Sequence, residues 1–359
     1  MDPRRRMGLV GWVSILVVLM VGACAPSART GQAPTSDLPA GAPAAPAASQ
    51  PAKVQLGLAF DTLGRAPLYV ALRKGYFTEQ GLEVERTLLQ GDSPLAAAFL
   101  AREVDVAGFG ADTVVKMVAE GRDVQVFYGM GQGQAMFLVA SKRFVDERGI
   151  DPNAPLREKV AKLKGMSLGA PSLGALTDLY SRWILRKGGL TDADMSVVQV
   201  GGATAGLVAA MDNDQIQGFV SSPPGPQEAV LRGKSVLVVR PAEINDFSHY
   251  IFSGLSVSKA YAERNPDALK RLAAGMDRGK QYIRSNFDDA LEEIRKDFPS
   301  MQREALLESM TFYRDTFGTD GRMRPEAWQD TLGLLRDAGL LKGETDASEG
   351  LYWTNKYLP

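Results

Sequence analysis

Two stretches of this chain follow one plan. The first is Gly91-Asp92-Ser93-Pro94, a helical run to Ala101, and then Val104-Asp105-Val106-Ala107-Gly108-Phe109. The second is Gly202-Ala203-Thr204-Ala205, a helical run, and then Gln215-Ile216-Gln217-Gly218-Phe219. Each opens on a glycine turn, places a hydroxyl residue near a helix start, and returns through a strand. Their glycine-to-glycine spacings are 17 and 16 residues. A β-rich run precedes each, Glu83–Leu88 and Ser196–Val200. Strand, turn, helix and parallel strand form the unit of α/β folds. Any two such units look alike, so two readings stand. One is a common local pattern. The other is a pair of similar lobes, each aiming a helix N-terminus at a shared cleft, since ligands gather at the carboxyl ends of parallel strands.

Outward from these units the alternation continues. Further strands are expected at Val54–Ala59, Val104–Gly108, Val124–Tyr128, Met136–Ala140, Met166–Ala170, Gln217–Val220 and Ser235–Val239. Helical patterns fall at Leu68–Lys74, Pro94–Ala101, Val114–Glu120 and Leu179–Lys187. After Lys259 the pattern is helical only, through Pro266–Asn286, Asp288–Phe298, Gln302–Thr316 and Pro325–Ala338. The expected class is α/β with mostly parallel sheets and a helical C-terminal segment.

The N-terminus reads as a targeting signal. Arg4, Arg5 and Arg6 precede an uncharged run from Met7 to Ala23. That run is short for a membrane span, which takes about 20 residues, and suits the apolar stretch of a signal peptide. It ends in Val21-Gly22-Ala23-Cys24, which resembles a bacterial lipobox, so residues 1–23 are expected to be removed and Cys24 lipidated. Residues 24–52 read as a tether: Ala25 to Ala52 hold ten Ala, six Pro and no aromatic residue. Such a segment cannot offset its ordering entropy. At ~3.1 Å per residue it reaches on the order of 80 Å.

Composition narrows the chemistry. Lys and Arg number 41 against 42 Asp and Glu, which argues against nucleic acid as a partner. One His and one Cys leave too few ligands for most zinc or copper sites, and no metal or cofactor is expected. Gly165-Met166-Ser167-Leu168-Gly169 matches the nucleophile-elbow pattern. The alternation of Met166, Leu168 and Ala170 instead makes Ser167 a strand residue, so no enzyme is expected. The hydrolase alternative needs Ser167 and His249. His249, beside an apolar run, reads as a core residue. Gly129, Gly131 and Gly133 lack a phosphate-loop signature and read as a flexible crossing between lobes. Trp183 is expected to pack on a sheet.

The run Leu68-Tyr69-Val70-Ala71-Leu72-Arg73-Lys74-Gly75-Tyr76-Phe77-Thr78-Glu79-Gln80-Gly81-Leu82-Glu83-Val84 resembles the substrate-binding proteins of ABC importers. The subgroup is the nitrate, sulfonate, taurine and thiamine-pyrimidine-precursor type. Glu103–Ala107, Leu163-Lys164-Gly165, Arg264-Asn265-Pro266 and Thr354–Pro359 support the resemblance, which covers Lys53–Pro359. It implies a periplasmic-binding-protein fold of type II. One lobe spans 53–140 plus 246–359, the other 141–245, and two crossings join them. It implies a small-molecule ligand, an ABC permease with its ATPase subunits as partners, a monomer, and an extracytoplasmic place on a bacterial membrane. It also implies contacts from Asp61, Leu63, Gly64 and Arg65, from Asp92 and Ser93, and from Gly110, Ala111, Asp112 and Thr113. Across the cleft stand Ser172, Leu173, Gly174 and Ala175, then Thr204, and then Ser221, Ser222 and Pro223. Arg65 is the candidate clamp for an anionic ligand of sulfonate, nitrate or carboxylate kind. Asp61 and Asp112 point instead to an amine or heterocycle, unless Asp112 only caps its helix. The double proline at Pro223-Pro224 departs from the family pattern and puts the ligand class in doubt.

Overall fold

The structure is a computed structural model and describes residues 51–359 apart from 172, 175, 201–203, 245, 247, 338 and 344, with Thr204 described at its backbone only. The signal segment, Cys24 and the tether up to residue 50 lie outside the described residues. The first strand starts at Ala52, two residues earlier than expected.

Ten strands are described. They are β1 (Ala52–Leu58), β2 (Leu82–Leu88), β3 (Val106–Gly110), β4 (Gln125–Gln132), β5 (Phe137–Ser141), β6 (Ser167–Ala170), β7 (Ser196–Gln199), β8 (Gly218–Ser221), β9 (Ser235–Val239) and β10 (Ile251–Val257). They form two five-stranded sheets, β2-β1-β3-β10-β4 and β7-β6-β8-β5-β9. In each sheet three strands run parallel, and the fourth, β10 or β5, runs antiparallel to its neighbours. The two glycine-led units thus occupy equivalent places in two sheets of the same order. This is an α/β fold of two sheets with a helical C-terminal segment.

Two expectations change. Met136–Ala140 was placed with the first lobe, yet β5 pairs with β8 and β9 and belongs to the second sheet. Its partners lie far away in sequence, so the local pattern carries no sign of which sheet it joins. β10 was not expected as a strand. It holds Ser253, Gly254 and Ser256 among its apolar residues, which weakens the β signal. It is nevertheless the strand that links β3 to β4.

Central strands are apolar runs because both faces are covered. β5 is buried at every residue and so is β8. Edge strand β2 instead alternates, with Glu83, Glu85 and Thr87 outward. Charges on an edge discourage pairing with other chains. Helices cover the first sheet. Pro266–Ser285 packs on Ala66–Arg73 so closely that a Cβ at Gly279 would lie 2.2 Å from the carbonyl oxygen of Pro67. The C-terminal tail then closes over the sheet, with Val126 N donating to Tyr352 O at 2.8 Å and Thr354 N donating to Val126 O at 2.9 Å. No described helix is long and apolar enough to cross a membrane.

Candidate ligand cleft

Two crossings join the sheets, one at 133–136 and one at 240–250. They are bonded to each other. Gly133 N donates to Tyr250 O at 2.9 Å, and Gln134 Nε2 donates to Asp246 O at 3.0 Å. Gly133 takes a φ of 100°, which favours glycine. Gly129 and Gly131 lie within β4 and not in the crossing. Tyr180 of the second lobe donates to Gln134 Oε1. The longer crossing is anchored at both ends. Toward the second lobe, Glu243 pairs at 2.6 Å with Lys159, whose side chain is 1% exposed. Toward the first, Asp330 accepts from His249 N at 2.8 Å, and Thr331 Oγ1 accepts from Ile251 N at 3.1 Å.

His249 is therefore not a core residue, for its side chain is 65% exposed. Both of its side-chain contacts, Ser248 Oγ at 3.2 Å and Asp330 Oδ2 at 3.5 Å, involve Nδ1. A catalytic relay uses the two ring nitrogens separately. Ser167 begins β6, where its backbone N–H donates to Gln217 Oε1 at 2.6 Å. It is a strand residue and not an elbow. Trp183 is buried in the second-lobe core.

The first wall forms where β1, β2 and β3 end. Gly91 N donates to Ala59 O at 3.2 Å, which ties the turn before Asp92 to the β1 exit. Leu63, Gly64 and Arg65 form a buried turn. Arg65 is not a solvent-facing clamp. Its side chain points into the wall, with Nη1 donating to Phe60 O at 2.6 Å and Nη2 to Gly108 O at 2.8 Å. Asp61 is not a free acceptor either, since Arg86 donates to it from Nη1 at 2.7 Å and reaches Asp297 from Nη2 at 3.4 Å. Ser93 is exposed. Gly110 pairs with Ser253 across the sheet and starts helix Ala111–Ala119. Ala111 is buried and Thr113 half-buried. Asp112 makes no cap hydrogen bond; it pairs with Lys116 at 3.6 Å.

On the second wall, Ser172, Ala175 and the side chain of Thr204 lie outside the described residues. Leu173 is 58% exposed. Gly174 N donates at 2.8 Å to Asp178 Oδ2, whose other oxygen accepts from Arg182 at 2.7 Å. Ser221 ends β8, and Ser222 leads into Pro223-Pro224, whose peptide bond is cis.

A residue that the sequence did not single out joins the walls. Tyr313, on helix Arg303–Thr316 of the C-terminal segment, donates from its hydroxyl to Pro223 O at 3.4 Å. Its ring stacks on Phe317 at 5.4 Å, and the neighbouring Phe312 meets Phe137 of the second lobe at 5.2 Å. Beneath it lies a cavity of about 10 Å³ lined by Gly64, Gly133, Phe252, Ser253, Tyr313 and Phe317. That is room for roughly one water molecule.

A family model described as the NMT1-like family matches residues 47–294. The chain belongs to that family. It is 28% identical over 380 aligned residues to the riboflavin-binding protein RibY of Chloroflexus aurantiacus, covering 97% of each chain. A solved protein of Bordetella bronchiseptica superposes with a TM-score of 0.69 at 22% identity, over 85% of this chain and 95% of that one. The periplasmic aliphatic sulphonate binding protein SsuA of Escherichia coli does so with a TM-score of 0.63 at 16% identity, over 81% and 86%. The fold is thus that of periplasmic binding proteins.

In this NMT1-like chain the cleft carries an uneven set of polar groups. Asp92 is open to water, yet the surrounding wall pushes its carboxyl upward, as does the charge of Asp112, against Arg65 and Lys116. Burial, and then the charge of Asp112, pushes the Tyr250 hydroxyl well up. Buried polar atoms without a hydrogen-bond partner among the described residues include Arg65 Nε, Thr177 Oγ1, Gln227 Oε1 and Tyr250 Oη. An unpartnered buried group costs about 1–3 kcal/mol, so a polar ligand that reaches one of these atoms gains the difference.

Proposed function

We propose that this protein is an extracytoplasmic, lipid-anchored solute-binding component of an ABC importer, and that its cleft closes on a small, uncharged, polar heterocycle of the flavin kind. The observation that carries the reading is the pair of like-ordered sheets joined by two mutually bonded crossings. Such a hinge lets two lobes close on a ligand while each stays rigid. The full-length match to RibY supports a flavin-like ligand. The geometry of Arg65 weighs against the anion clamp that the sequence suggested, because its guanidinium is committed to two carbonyls. In this reading the protein is a monomer that hands its ligand to a permease and its ATPase subunits, and it performs no chemistry on the ligand.

The fold likeness to the sulphonate binding protein SsuA favours a second ligand class, a small sulfonate. Titration of the full chain in detergent with riboflavin and with hexanesulfonate separates the two. Quenching of flavin fluorescence with a saturable, one-site curve supports the first. Calorimetric heat from hexanesulfonate alone would replace it with the second.

A further inference from the structure

We propose that the cleft selects a neutral ligand rich in N–H and O–H donors, and that Asp92 and Asp112 exclude negatively charged derivatives of that ligand. The inference rests on the solute-binding reading above and deepens it.

Helix N-termini ordinarily favour anions. Here the helix starts at the cleft already hold carboxylates. Asp92 opens Asp92–Leu100, Asp112 is the second residue of Ala111–Ala119, and Asp178 lies in the first turn of Leu176–Lys187. Asp178 takes the backbone N–H of Gly174, a donor that an anion would otherwise use. Of the cations near this wall, Arg65 turns its guanidinium into the wall toward Phe60 O and Gly108 O, Arg86 is held by Asp61, and Lys116 pairs with Asp112.

The accessible charge is therefore negative. Among the described residues Asp92 has no ion-pair or hydrogen-bond partner, and Asp112 shares only the half-exposed Lys116. Both are held at one edge by the sheet. The Gly91 bond to Ala59 O fixes the first, and the Gly110–Ser253 pairing fixes the second, next to the start of β10 where Tyr250 lies. Tyr250 is buried with its Oη unpartnered, and it feels the charge of Asp112. Carboxylate oxygens only accept, hydroxyls do both, and Arg65 Nε only donates. A ligand that satisfies this set brings more donors than acceptors. An anion brings acceptors and a like charge, which such a face rejects.

Riboflavin and riboflavin 5′-phosphate make the test clean, because they differ by one phosphate. The protein is the full chain in detergent, and the readout is the ratio of the two dissociation constants from fluorescence quenching. The expected wild-type ratio is at least about a hundredfold in favour of riboflavin. The double variant Asp92→Asn, Asp112→Asn should bring it to about tenfold or less. Added salt should shrink the ratio in the wild type more than in the variant, since ions screen exposed charges. Neither substitution endangers the fold, as Asp92 has no partner and Asp112 only a surface pair. Riboflavin binding with an unchanged ratio in the double variant sinks the inference and leaves the flavin reading standing. So does a wild-type ratio below about fivefold. Failure of both flavins to bind retires the flavin reading and this inference with it.

Discussion

Arg65 is placed to hold the cleft wall together. Its two guanidinium bonds join the β1 exit at Phe60 to β3 at Gly108, and a Cβ at Gly108 would lie 3.2 Å from Arg65 Nε. Arg65→Ala would leave two carbonyls facing a hole, so we expect a loss of about 2–4 kcal/mol in urea unfolding. A solvent-facing arginine would cost within about 0.5 kcal/mol, and a result of that size contradicts the bracing role. Lys280 offers a second check at this scale. Its ammonium donates to Gly129 O at 2.9 Å and to Asp320 O at 2.5 Å, behind β4. Burial pulls its pKa down to about 7, with Asp277 and Asp320 opposing. Above pH 7 the folded chain therefore sheds this proton, while the unfolded chain keeps it until about 10.5. The unfolded state binds more protons across that window, so stability should rise with pH through it. The rise has an upper limit on the order of 4 kcal/mol. Denaturant melts at pH 7 and 9.5 should display the rise in the wild type and lose it in Lys280→Met.

At the scale of elements, helix Arg303–Thr316 matters most to the cleft. It belongs to the C-terminal segment, touches the Leu63–Arg65 turn, and meets Pro223 and Phe137 of the second lobe. Tyr313→Phe keeps the stack on Phe317 and removes the hydroxyl, which meets Pro223 O and Ser222. We expect little change in thermal midpoint and a ligand affinity lowered about three- to tenfold, in line with one hydrogen bond of about 0.5–1.5 kcal/mol. Equal affinity would mean that the contact plays no part in closure. The helix itself was legible, at Gln302–Thr316, because its apolar spacing shows a buried face. What it packs against was not, since periodicity reveals that a face is covered and not by what. The same limit hid the sheet membership of β5. β10 was missed for a different reason: its serines and glycine are tolerated at a central position only because Val126 and Tyr128 crowd Gly254, where a Cβ would lie 2.3 Å from Val126 Cγ1. Candidate residues on turns after strands were readable by position. Whether each side chain faced the cleft or the wall was not, and Arg65 and Asp61 both turned to wall partners.

At the scale of the whole molecule, the longer crossing is pinned at Glu243, at Asp246 and at His249. The pin at Glu243 guards a buried ammonium. Glu243→Gln would leave Lys159 with Pro152 O as its remaining partner, and removing one member of a buried pair costs about 3–5 kcal/mol. The remaining question is how the folded part relates to a membrane. Cys24 is the only cysteine, and it follows the Val21-Gly22-Ala23 stretch. The segment from it to the first strand is rich in alanine and proline, so the tether and the folded part should be independent. Cys24→Ser should therefore move the protein from the membrane fraction to the soluble fraction. Its unfolding midpoint and its riboflavin affinity should match those of the wild type, because the two sheets begin only at Ala52. Fractionation followed by melting of both proteins reads the two halves of this expectation separately. A variant that stays with the membrane denies the lipid anchor. A released variant with a lowered midpoint denies the independence of the tether.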